Sequence, residues 1–202
     1  MQSCKKIGIT GGIGSGKSYV CRLLNKRGII VYDCDSAAKR LIRSSEDLRQ
    51  RLTDLIGPDT YINIGGEAED EYVLNKKEVT KFLLASEANA HAIDAIVHPA
   101  VFRDFEESGI HWVESAILYD SGLYRLVDKV VVVTAPEEVR IQRVMQRDGI
   151  TREKALEWIG CQWPQDELVQ RADYEIVNDG KADLEQQIEN VLKSLELNID
   201  NK

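Results

Sequence analysis

The sequence has no C-x-x-C pair, no excess of positive charge and no long apolar run, and each absence removes a class of function. Its 202 residues include only four cysteines, Cys4, Cys21, Cys34 and Cys161. Their spacing fits neither a zinc site nor a disulfide framework. Free thiols point to a reducing compartment, most simply the cytoplasm. Lysine and arginine number 26 against 34 aspartates and glutamates, a net charge of −8. A chain of that sign has no general positive field for phosphate backbones, so broad nucleic-acid binding is not expected, whereas a small phosphate site needs only local donors. No stretch approaches the roughly 20 apolar residues of a membrane span. The apolar run after Lys5 and Lys6 is broken at once by Gly11 and Gly12, unlike a secretory leader, so neither a membrane partner nor export is expected. No internal repeat or low-complexity segment is present.

What remains is an ordinary globular composition, 43% hydrophobic and 30% charged. A single domain of this size buries roughly 70% of its unfolded surface and needs no covalent staples. Strands and helices alternate. Residues 7–10 read as a short apolar strand, 11–16 as a glycine loop, and 18–27 as a helix with Val20, Leu23 and Leu24 on one face, ended by Gly28. Residues 29–32 form a second strand, apolar throughout and so expected to be buried on both faces. Asp33 stands where it stops, and Asp35 or Ser36 is expected to cap a helix over 37–43. A helix over 46–56 leads into a turn-rich stretch with Gly57-Pro58, Gly65-Gly66 and the acidic run from Glu67 to Glu71, the natural edge of a subdomain. Helical patterns follow over 76–84 and 88–97, with a kink or new start expected at His98-Pro99. Residues 112–119 and 127–134 read as buried strands, 136–147 and 151–159 as helices, 174–177 as a last strand, 178–180 as a turn and 184–195 as a closing helix. Such alternation implies a parallel sheet covered on both faces.

The run Gly11-Gly12-Ile13-Gly14-Ser15-Gly16-Lys17-Ser18 matches G-x-x-x-x-G-K-[ST] in full, between a predicted strand and a predicted helix. Glycines let the backbone wrap an anion with its N–H groups inward, and the helix that follows turns its positive end to the same place. Lys17 supplies a point charge for the β- and γ-phosphates of a nucleotide, and Ser18 a hydroxyl for Mg²⁺. No N-K-x-D sequence for guanine occurs, Asn75-Lys76-Lys77-Glu78 being the nearest, and the length leaves no room for a motor. A small kinase is the reading that fits.

The candidate partners of that loop are carboxylates at strand ends and arginines on a helix. Asp33 and Asp35 follow the second strand, at the sheet edge where open parallel sheets bind ligands. There an aspartate accepts an acceptor-hydroxyl proton or orients Mg²⁺ through water, or else merely caps the next helix. Asp120 follows the third strand and either helps the metal or belongs to a turn. Glu114 falls inside an apolar run, facing a polar cavity or the sheet's edge. Arg140, Arg143 and Arg147 recur on one helix face; Arg140 is expected on a solvated face, the other two near a phosphoryl group in transit. A mobile segment is expected over 148–165. His98, before a proline and without a metal-ligand partner at useful spacing, reads first as structural.

Taken in order, Thr10 to Ser18, Asp33-Cys34-Asp35, His98-Pro99, Arg143-x-x-x-Arg147-Asp148, and Ala172-Asp173 with Asn178 resemble the dephospho-CoA kinase family of P-loop kinases over nearly the whole chain. The resemblance implies an α/β fold, three-layer α/β/α with a five-stranded parallel sheet. It implies a core over about 1–58, 109–147 and 166–202, a helical CoA-binding subdomain over about 59–108 and a lid over about 148–165. It implies ATP as co-substrate with Mg²⁺, and transfer of the γ-phosphoryl group to the 3′-hydroxyl of dephospho-CoA. On the nucleotide side it points to Gly11 through Ser18, with Tyr19 and, near the adenine, Asn178. On the acceptor side it points to Thr10, Asp33, His98, Asp120 and Asp35, with Asp35 as the base. Lys17, Arg143 and Arg147 would clamp the phosphates, and Ser18 would hold Mg²⁺ with Asp33 or Asp35 through water. The chain departs from the family's pattern at Cys34, where alanine is usual, at Tyr19, where threonine is common, and at Ala116-Ile117-Leu118-Tyr119-Asp120, where the pattern is close to P-L-L-F-E. Two rival readings are another small-acceptor kinase, such as a nucleoside-monophosphate kinase, and an ATP-binding switch that transfers no phosphate.

Overall fold

The computed structural model describes residues 5–65 and 71–197; Glu67 to Asp70 of the acidic run lie outside them. The first half holds β1 (Ile7–Thr10), α1 (Lys17–Lys26), β2 (Val31–Asp33), α2 (Cys34–Ser44), α3 (Glu46–Ile56), β3 (Tyr61–Asn63), β4 (Tyr72–Leu74), α4 (Lys76–Ala85) and α5 (Glu87–Glu107). The second half holds β5 (Trp112–Glu114), β6 (Lys129–Thr134), α6 (Glu137–Asp148), α7 (Arg152–Gly160), α8 (Gln165–Arg171), β7 (Tyr174–Val177) and α9 (Leu184–Leu197). These elements form two compact units, one from residues up to 32 together with those from 110 onward, the other from 33 to 109. The helical unit therefore begins at Asp33, and α2 and α3 belong to it.

The first unit is built on a five-stranded sheet in the order β2-β5-β1-β6-β7. β1 pairs in parallel with β5 and β6, and β6 with β7. Alternate residues Ile7, Ile9, Val131, Val133 and Ile176 meet Val20, Leu23 and Leu24 of α1 and Ile188, Val191 and Leu195 of α9 in one core. On the other face Gly8 leaves room for Leu118 and Val127, which a methyl group there would crowd at about 3.1–3.2 Å. This is the doubly wound α/β arrangement, with the loop after β1 at the carboxyl end of a central strand.

Two strands differ from the sequence-based expectation. β2 spans Val31–Asp33, and Ile30 before it is 68% exposed. The strand lies at the sheet's edge, so the apolar run does not become doubly buried. β5 ends at Glu114, five residues short of Tyr119. The Ser115 N–H still donates to the Ile9 carbonyl, but the Ser115 hydroxyl accepts the Ile117 N–H at 3.2 Å and bends the chain off the sheet. Asp120 is thus exposed in a turn six residues beyond the strand end.

The second unit packs α2 and α3 against α5 around Leu48, Leu52, Val97, Val101 and Phe105. Arg40 pairs with Asp104 at 2.5 Å. The Tyr61 hydroxyl donates to the Ile42 carbonyl at 2.9 Å, and burial pushes its pKa up to about 12. The turn-rich stretch contains an antiparallel pair, β3 with β4. α5 runs unbroken through Pro99, where a kink or new start was expected. A proline removes one i→i−4 hydrogen bond, and the buried line Val97, Val101 and Phe105 continues past it on the same face.

Candidate active site

β1 delivers the chain into the glycine loop, and α1 starts on its far side with Gly16 as N-cap at φ +93°. An L-residue is strained at that angle, and any Cβ there would run into the Asn178 amide. At Gly12 the Arg140 guanidinium lies where a side chain would begin, so a larger residue would displace that arginine. The loop is therefore made of glycines where backbone and supporting side chains come closest.

Those supports hold the loop by its carbonyls. Arg140 Nε donates to the Ile13 carbonyl at 2.9 Å. Arg143 Nη1 donates to the carbonyls of Gly14 and Ser15, both at 3.3 Å. Asn178 Nδ2 donates to the Ser15 carbonyl at 2.8 Å, and its Oδ1 accepts from Arg143 Nη2 at 3.2 Å. In a trans peptide the C=O and the next N–H point opposite ways. Drawing back the carbonyls of Ile13 and Ser15 therefore turns the N–H groups of Gly14 and Gly16 away from the supports, as an anion nest requires. Thr10 and Ser15 are wholly buried at the base of the loop, with no hydrogen-bond partner for either hydroxyl among the described residues.

Arg140 is not on a solvated face. It is 5% exposed, and burial lowers its pKa from the ordinary arginine value. The helical spacing of α6 aims Arg140 and Arg143 at the same target, the loop itself. Arg147, one turn further, is exposed and forks onto Asp148 with contacts of 2.7–3.1 Å. The hydrogen bond raises the pKa of Arg147 and holds that of Asp148 below the usual carboxylate value.

Lys17 opens α1, and its Nζ lies 3.6 Å from the Glu114 carboxylate at the end of β5, both largely shielded from water. Glu114, not Asp120, is the acidic residue that ends the strand beside β1. Ser18 is exposed in the first turn of α1. Tyr19 is 46% exposed, with the Arg22 guanidinium 5.5 Å from its ring centre. The segment after α7 adds a residue that sequence reasoning missed, Gln162, whose Oε1 accepts the Ile13 N–H at 2.6 Å. Next to it Trp163 stacks on Tyr119 at 5.8 Å, with Arg171 4.5 Å from the Trp163 ring centre.

The second unit carries the other candidates. Asp33, not Asp35 or Ser36, is the cap of α2: Oδ1 accepts the Ser36 N–H at 3.0 Å and Oδ2 its hydroxyl at 2.8 Å. The extended backbone of Asp33 at the end of β2 permits this, so the helix starts at Cys34. Asp35 is exposed in the first turn. His98 lies 3.5 Å from Asp94 on the same helix and stacks on Phe102 at 6.1 Å.

No group of three or more His, Cys, Asp or Glu side chains among the described residues is arranged to hold a metal by itself. Magnesium in nucleotide sites is usually completed by one or two carboxylates, waters and the nucleotide's own phosphates. The exposed hydroxyl of Ser18 and the Glu114 carboxylate beside Lys17 are donors of that kind.

Comparison with known proteins gives the family and the fold. Residues 5–184 match a family model described as dephospho-CoA kinase. A dephospho-CoA kinase of Bacteroides fragilis is 38% identical over 190 residues, 91% of this chain and 89% of that protein. One of Porphyromonas gingivalis is 44% identical over 153 residues, 73% and 72% of the two chains. A Thermus thermophilus crystal structure superimposes with a TM-score of 0.76 at 29% identity, over 94% of this chain and 96% of the other.

Proposed function

The chain belongs to the dephospho-CoA kinase family, and on that premise we propose that it transfers the γ-phosphoryl group of ATP to the ribose 3′-hydroxyl of dephospho-CoA, releasing coenzyme A and ADP. The observation that carries the reading is the phosphate loop with its carbonyls of Ile13, Gly14 and Ser15 tied back by Arg140, Arg143 and Asn178. That construction pre-orients amides for a polyphosphate before it arrives, so no reorganisation is needed when charge develops in transfer. Any kinase of this fold would use such a loop; the family match over residues 5–184 selects the acceptor.

Roles follow from chemistry at each position. Lys17 and the amides of the loop take the β- and γ-phosphates, and Tyr19 borders them. Ser18, with Glu114 or an aspartate of the 33–35 turn acting through water, would hold magnesium, which when bound neutralises phosphate charge. Arg143 acts chiefly through the loop, while Arg147 reaches the phosphates on release from Asp148, and Asn178 lies between the loop and the adenine. Asp35 accepts the proton of the 3′-hydroxyl as its oxygen bonds to the γ-phosphorus and the bond to the ADP oxygen breaks. Asp33 and Thr10 shape the approach, and His98 and Asp120 meet the acceptor. The segment over 148–165 acts as the lid. Cys21, Cys34 and Cys161 form no disulfide among the described residues, which suits a cytoplasmic setting.

The test is ADP release from Mg-ATP with and without dephospho-CoA, with Lys17→Ala protein as the blank. The expected result is release that depends on dephospho-CoA and vanishes in the variant. ATP binding without that dependence would leave the loop's reading in place and remove the acceptor.

A further inference from the structure

Ile13 sits at the crown of the phosphate loop and is held by all three of its handles. Its carbonyl accepts from Arg140 Nε. Its side chain packs against the cluster of Ile141, Val144 and Ala155. Its N–H donates to Gln162 Oε1 at 2.6 Å. The other end of that peptide, the Gly12 carbonyl, accepts the Ser15 N–H at 3.1 Å. The Gly12–Ile13 plane is thus pinned from within the loop at one end and by Gln162 at the other.

The amide oxygen of Gln162 is delivered by a backbone that is itself anchored on both sides. The Gln162 N–H donates to the Ile159 carbonyl at 3.3 Å. Trp163 is clamped by the Tyr119 ring and the Arg171 guanidinium. A loop that works by aiming N–H groups depends on the direction of each peptide plane. The glycines beside it leave this plane only the Ser15 bond within the loop and the Gln162 bond from outside to hold its N–H direction.

We propose that Gln162 is a positioning residue of the phosphate loop: its amide oxygen fixes the Gly12–Ile13 peptide and thereby sets the loop's affinity for the polyphosphate of the nucleotide. The proposal rests on the reading of this loop as the ATP site. What the position requires is an acceptor. Glutamate keeps an oxygen at the same reach but adds a negative charge beside an anion site, and alanine removes the acceptor.

The test compares wild type, Gln162→Ala and Gln162→Glu in calorimetric binding of inorganic tripolyphosphate, and in KM and kcat for ATP and for dephospho-CoA. Gln162→Ala is expected to weaken tripolyphosphate and raise the KM for ATP about fivefold, the worth of one net hydrogen bond. The KM for dephospho-CoA and the unfolding temperature should hold. Gln162→Glu is expected to be weaker than wild type at low salt and to match it in about 1 M salt, where the added charge is screened and the acceptor remains. Unchanged tripolyphosphate binding in Gln162→Ala would overturn the proposal, as would equal weakness of both variants at both salt concentrations. Wild-type protein that binds no ATP would overturn the reading of the loop, and this inference with it.

Discussion

Asp33 has both carboxylate oxygens engaged by Ser36 and so caps α2. Asp35, two residues on and exposed in the first turn of the same helix, carries no such duty. The two residues are therefore separable by a conservative change. Asp35→Asn is expected to lower kcat about 10²–10⁴-fold, the usual contribution of a positioned base, with the KM for ATP unchanged. Asp33→Asn should keep the helix, since asparagine caps as well as aspartate, and should cost far less in kcat. Steady-state kinetics of the two variants checks this; a larger loss in Asp33→Asn would assign the base to the wrong residue. Arg140 makes the complementary point. Burying a guanidinium is costly unless it is hydrogen-bonded, and here its Nε proton goes to a loop carbonyl. Its charge serves the loop's shape, which the spacing of arginines on α6 does not by itself distinguish from a solvated stripe.

The elements that were legible in the sequence are those whose signals are local. The strand, glycine loop and helix from Ile7 to Lys26, the helix from Glu46 to Ile56 and the strand Tyr174–Val177 follow from period, glycine and caps alone. So did Lys17 and Ser18 at the start of α1. Elements decided by distant partners were not. Nothing within residues 29–33 says that β2 lies at the edge, and the end of β5 is set by one serine hydroxyl turning onto Ile117. Glu114 stood out in the sequence without a role and Gln162 not at all, for the same reason: each matters through a contact across the fold, with Lys17 and with Ile13. Pro99 is the clearest conflict between a local rule and a tertiary one. Within α5 it deprives the Ala95 carbonyl of its helical donor, yet the helix continues because Val97, Val101 and Phe105 are buried on both sides of it. Pro99→Ala is accordingly expected to stabilise α5 by about 1–3 kcal/mol, seen as slower amide exchange over 95–103. Faster exchange there would mean that proline is what the local geometry requires.

At the scale of the whole molecule, the residues assigned to the nucleotide lie in one compact unit, whereas of those assigned to the acceptor Asp33, Asp35 and His98 lie in the other and Thr10 and Asp120 in the first. Lys17, Ser18, Glu114, Arg143, Gln162 and Asn178 belong to the sheet-bearing unit, and Asp33, Asp35 and His98 to the helical one. The chain passes between the units only twice, after Tyr32 and after Gly109. Each unit has its own buried apolar centre, around Ile9, Val20 and Val133 in one and Leu48, Leu52 and Phe105 in the other. Two such centres with two connections allow one unit to open without the other, in the manner of separately stable cooperative blocks. Leu52→Ala deletes a core side chain of the helical unit and should cost about 2–5 kcal/mol there. The expected outcome is divided: amide exchange accelerates within 33–109, dephospho-CoA-dependent ADP release falls, and calorimetric ATP affinity stays at the wild-type value. ATP affinity that falls in step with turnover would mean that the two units fold and bind as one. Such a division lets the tied-back loop stay ordered for the nucleotide while the helical unit opens to exchange the acceptor for its product.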